Sequence, residues 1–210
     1  VIYEPGSRPK LESTLSTIIS PGAHAEEVLT SIVRFTQSLE GHSEQDLHQM
    51  LLGGTEEEII ERGSEWCTDV ARVACVLCQI AGFPCRLVNL FDTGRAYSGQ
   101  VIIEAYSCGH WGALDSSTAI VYRRSNGEPL SVWQLMNDPD LIIAHRIGSA
   151  ACYSSIGQFR AAGMSNYLCC DQAHYDYSIT GLNDYYLSIL EMSNQGWPGG
   201  LRWLHGEDDL

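Results

Sequence analysis

Cys67 stands in EWCTDVA, residues 65–71, with an acid, Asp69, two residues on and a small residue, Ala71, four residues on. Where such a thiol falls in the first turn of a helix, the unpaired N–H groups and the positive end of the macrodipole favour an anion. Both effects lower a thiol pKa from about 8.5. An activated thiolate can attack an amide or ester carbonyl if a base takes the thiol proton and later returns one to the leaving group. A carboxylate is then needed to orient that base. The stretch SGQVIIEAYSCGHWGALD, residues 98–115, contains the side chains to test against those roles: Gln100, Glu104, His110 and Asp115.

The elements that position these residues are legible in the spacing. Cys67, Ala71, Cys75 and Cys78 follow one another at four, four and three residues, which predicts one face of a helix over 64–80. Small side chains on that face let a sheet approach closely, and packing accounts for Cys75 and Cys78. From Pro84 to Tyr122 the period changes: CRLVNLF, QVIIEAY, HWGALD and TAIVY are short, β-branched runs broken by Gly, Asp or Ser, as in an antiparallel sheet. QVIIEAY and HWGALD can pair through a tight turn at Ser107, Cys108 and Gly109. With Ser107-Cys108 as the turn, Gln100 lies opposite Asp115; with Cys108-Gly109, Asp115 faces Ile102 and is diagonal to Gln100. Either register puts Gln100 and Asp115 on one face.

Helices are expected before this core in LESTLSTIIS, AEEVLTSIVRFTQSLEG, SEQDLHQMLL and TEEEIIERG, and after it in SVWQLMN and NDYYLSILEMS. At 210 residues and 44% apolar composition, one globular domain over 1–210 is expected. Its parts are a helical segment at 1–60, a core at 61–123 and a helical or irregular remainder at 124–210. A net charge of −14 opposes binding to nucleic acid or to acidic membrane surfaces. No apolar run is long enough to span a bilayer, and VIYEPGSRPK lacks the order of a secretory signal. The eight cysteines follow neither a small disulfide scaffold nor paired zinc knuckles, since the single CxxC, Cys75 with Cys78, has no second pair. A soluble, cytoplasmic protein with reduced thiols and neither cofactor nor metal is therefore expected.

The run from Arg62, R-G-S-E-W-C-T-D-V-A and then A-G-F-P-C-R-L-V, resembles the nucleophile helix of the transglutaminase-like superfamily. That pattern has Cys, an acid two residues on, a small residue at four and a Gly-aromatic-Pro-x-Arg motif beginning at fifteen. The second block of the family is His-x-Trp-x-Glu, a turn with Gly, an aromatic and then Leu-Asp. Glu104, Gly109, Trp111, Leu114 and Asp115 match it without a gap, while Gln100 stands where the His belongs and Ile102 where the Trp does. The resemblance spans about sixty residues, from Glu61 to roughly Tyr122. It implies a papain-like α+β domain and acyl transfer on a peptide, protein or small-molecule amide or ester, with Cys67, Gln100 and Asp115 at the triad positions.

A neutral amide at position 100 can imitate imidazole contacts, donating to Asp115 and accepting from the Cys67 thiol, but it cannot transfer a proton near pH 7. Three readings stay open: an enzyme carrying an inactivating substitution, a relative that binds a peptide or glycan without turnover, and an enzyme that recruits another base such as His110, His145 or His174. Around the site, Trp66 is expected in the core, Glu104 as a paired strand residue, and Arg86 in an ion pair with an acid such as Asp69.

Overall fold

The computed structural model describes residues 3–39, 54–64, 66–92, 97–138, 141 and 166–169. Three short helices lead into the core. α1 (Pro9–Ile18) starts with proline at its first turn and buries Leu11 and Leu15. α2 (Ala25–Gln37) buries Val28, Leu29, Ile32, Val33 and Thr36, a stripe at three- and four-residue spacing. α3 (Glu56–Arg62) is capped by the Thr55 side chain, which accepts from Glu58 N, and it stops at Gly63, where φ is +74°. The helices expected in SEQDLHQMLL and NDYYLSILEMS lie outside the described residues.

α4 (Cys67–Ile80) is the central helix, buried without interruption from Thr68 to Gln79. A helix apolar around most of its circumference needs partners on all sides. It packs against α1, α2 and α3 and against the first two strands of the sheet. Its charged residues are buried together with their partners. Arg72 donates to Glu56 at 2.8 Å with both side chains fully buried, Arg8 reaches Glu56 at 2.9 Å, and Arg62 reaches Asp69 at 2.8 Å. These pairs fasten α3 and the N-terminal segment to α4.

The sheet comprises β1 (Cys85–Asp92), β2 (Tyr97–Ser107), β3 (His110–Asp115), β4 (Ile120–Val121) and β5 (Asn166–Cys169) in the order β4-β3-β2-β1-β5. Every pairing is antiparallel. Ser107 pairs with His110, so Cys108 and Gly109 form a two-residue turn with φ of +56° and +86°. Positive φ at both positions is the type I′ geometry that matches strand twist. This selects the second of the two registers anticipated from sequence. Ile103 faces Leu114, so Asp115 falls one step beyond, level with Ile102 and diagonal to Gln100.

Alternation divides the sheet between two cores. Val101, Ile103, Ala105, Leu87 and Leu114 pack with Ala71, Cys75 and Cys78 of α4. Val88, Leu90, Ile102 and Ala113 pack on the other face with Tyr122, Leu130, Val132 and Leu135, the last two from α5 (Val132–Asn137). Gly112 leaves room for Pro129 beside β3, because a Cβ there would lie 2.7 Å from Pro129 Cβ. The remainder after residue 124, expected to be helical or irregular, also supplies β5, which pairs with β1 at the sheet edge. Four residues, NYLC, carry too little alternation to announce a strand; long-range pairing with β1 creates it.

Candidate active site

Cys67 is the first residue of α4, as its sequence context predicts, and Trp66 precedes it as N-cap with extended backbone. The loop that delivers it is held by Asp69. The Asp69 Oδ2 atom accepts from Arg62 at 2.8 Å and from Ser64 Oγ at 2.9 Å, and Ser64 Oγ accepts the Trp66 N–H at 3.1 Å. The acid two residues after the thiol therefore braces the turn before it. Trp66 is 39% exposed instead of wedged in the core, because at the N-cap its side chain projects outside the helix-sheet contact.

The Cys67 thiol is mostly withdrawn from solvent, and this burial pushes its pKa above the ordinary value. Bonds from the Val101 N–H and from the Thr68 side chain and backbone oppose the shift, whereas the negative charge of Asp115 adds to it. The sulfur abuts Val101, the neighbour of Gln100, and Asp115 is near enough for its charge to be felt. Desolvation is the largest influence on this thiol, and it acts against ionisation.

Gln100 and Asp115 belong by alternation to the sheet face of Ile102, the one turned away from α4, and lie at the end of the hairpin remote from its turn. Gln100 Nε2 donates to Ser117 Oγ at 3.0 Å. Asp115, fully buried, accepts the backbone N–H groups of Ser117 at 3.1 Å and Thr118 at 3.3 Å through Oδ1. The Gln100 amide, expected to donate to Asp115, donates to the Ser117 hydroxyl, and the Ser117 backbone N–H in turn donates to Asp115. Sequence reasoning missed Ser117, although Asp-Ser-Ser-Thr at a strand end is a turn signature in which the acid caps the following N–H groups.

Arg86 finds its acid in Glu104, with Nε and Nη2 both 2.8 Å from Oε2, and its guanidinium stacks 4.2 Å from the centre of the Trp111 ring. The expected Asp69 pairing is replaced because Arg86 and Glu104 are cross-strand partners of β1 and β2. Glu104 Oε1 also accepts the Val132 N–H at 2.7 Å, which ties the start of α5 to the sheet. His110 is exposed at the hairpin turn. Five residues of strand separate it from Asp115, about 17 Å at the usual rise, too far for a recruited base. His145 and His174 lie outside the described residues. Among the described residues, no group of three or more His, Cys, Asp or Glu side chains is arranged to hold a metal ion.

A helix opening on a cysteine, packed on an antiparallel sheet with an acid at the end of its third strand, is the arrangement the motifs imply. The family profile described as the transglutaminase-like superfamily matches residues 22–116. Over that segment the chain is similar to a transglutaminase-like domain. No curated protein matches the chain. The match takes in α2, α3, α4 and the first three strands and ends one residue after Asp115, so the transglutaminase-like unit reaches further toward the N-terminus than the sixty residues carrying the motifs.

Proposed function

We propose that the chain is a cysteine acyl-transfer domain of the transglutaminase-like type, with an amide in place of the proton-transferring base. Its substrate is a peptide, protein or small-molecule amide or ester, and its setting is the reducing cytoplasm. Cys67 sulfur attacks the acyl carbon, a C–S bond forms, and the C–N or C–O bond breaks as the leaving group takes up a proton. Water or an amine then attacks the thioester and releases the thiol. Gln100 cannot accept the thiol proton, so deprotonation falls to solvent and the first step is slow. The observation that carries this reading is the placement of Cys67 at the first turn of α4, against Val101 and within the field of Asp115. Cys67, Cys75, Cys78, Cys85 and Cys108 are free thiols.

Loss of a triad base costs on the order of 10³ to 10⁶ in rate. Gln100→His is therefore expected to create thiol-dependent acyl transfer, measured as release of amine or alcohol from amide and thioester-forming ester substrates. Cys67→Ala in that background is expected to abolish it. The raised thiol pKa supports a second reading, a module that holds a peptide or glycan without turnover. That reading replaces the first if Gln100→His leaves Cys67 no more reactive while Cys67→Ala leaves ligand binding intact.

A further inference from the structure

Asp115 does not end β3 as an isolated carboxylate; it gathers the turn that follows. Its Oδ1 atom accepts two successive backbone donors, Ser117 N and Thr118 N, which fixes the 116–119 turn on the end of the strand. The turn closes onto β4, where Asp115 pairs with Ile120, and Ala119 adopts a φ of +54° to complete it. The Ser117 hydroxyl is consequently held in place by its backbone, and it accepts Gln100 Nε2 at 3.0 Å. Continuation of the β2–β3 register beyond Ile103 and Leu114 brings residues 100 and 117 level, and the hydrogen bond agrees with that register.

Resting on the acyl-transfer reading, we propose that Ser117 is a positioning residue that orients the side chain at position 100, with Asp115 acting on that side chain in part through the Ser117 backbone. A hydroxyl oxygen accepts an N–H from an amide or an imidazole equally well. The same Ser117 that holds the Gln100 amide can hold one ring N–H of an imidazole introduced there. Holding one nitrogen as the donor fixes the tautomer and leaves the other nitrogen with its lone pair, the form a base requires. Asp115 of β3 lies diagonal to position 100 on the same sheet face and is present in every variant below.

The test compares Gln100→His alone with the same chain carrying Ser117→Ala or Ser117→Thr, following the introduced imidazole by nitrogen-resolved NMR across pH. An oxygen that accepts from the ring stabilises the imidazolium, so Ser117→Ala should lower the imidazole pKa by about half to one unit. It should also mix the two neutral tautomers, while Ser117→Thr, which keeps the hydroxyl, should restore both signatures. In the acyl-transfer assay, Ser117→Ala should lower turnover at least tenfold, and Ser117→Thr should recover most of it. An imidazole pKa and tautomer ratio unmoved by Ser117→Ala would overturn the positioning role. The two proposals fail separately: if Gln100→His shows no acyl transfer but its imidazole responds to Ser117, the acyl-transfer reading falls and the positioning role stands.

Discussion

The pH dependence of Cys67 alkylation follows directly from its surroundings. Burial and the Asp115 charge place the thiol above its ordinary value of 9.0. At pH 7 the thiolate is then below about 1 part in 100, and alkylation by iodoacetamide should rise about tenfold per pH unit between pH 7 and 9 without a plateau. Gln100→His sets an imidazole of ordinary pKa about 6.5 beside the Val101 end of the sheet. If thiolate and imidazolium form a pair, alkylation at pH 7 can gain more than about a hundredfold, up to the limit at which the thiolate fraction reaches one. Rates should be followed by mass spectrometry of the Cys67 peptide, because Cys108 is exposed and reacts on its own account. A plateau below pH 8 in the unaltered chain would refute the argument, because it requires a thiolate stabilised against burial. The sign for stability agrees: a thiol whose folded-state pKa is raised stabilises the fold below the ordinary, unfolded value of 9.0. That contribution is lost as pH rises through the folded value. Cys78, pushed well up by its hydrogen bond with Cys85 and by burial, and Cys85, pushed well up by burial and by a hydrogen bond with Cys75, add to the same alkaline loss.

Glu56→Ala removes a fully buried carboxylate that accepts from both Arg72 and Arg8 and strands the buried Arg72 charge, so the domain should lose about 3–5 kcal/mol in urea denaturation; a loss under 1 kcal/mol would mean the network is solvated. Cys108→Asn, at a turn position where φ is +56°, should gain up to about 1 kcal/mol by the same measurement, because Asn tolerates the left-handed region that Cys strains to occupy.

The amino-acid sequence by itself determined the parts of this domain whose information is local. Four-, four- and three-residue spacing placed Cys67, Ala71, Cys75 and Cys78 on one helix, and the structure closes the starts of α3 and α5 with capping boxes at Thr55 and Ser131. Period-two alternation put Gln100 and Asp115 on a common sheet face, since a strand repeats every second residue whatever its partners. Tertiary structure decided what depends on distant neighbours. The register awaited the I′ turn at Cys108-Gly109, and β5 exists because β1 offers it an edge. Arg86 chose Glu104 because strand pairing made them adjacent. Most consequential for function, a thiol at a helix N-terminus carries a local signal toward ionisation, but burial by the folded surroundings raises this thiol, joined by the charge of Asp115 from 48 positions away and opposed by the bond from Val101, 34 positions away. Desolvation is a property of the folded surroundings, and no spacing along the chain encodes its size.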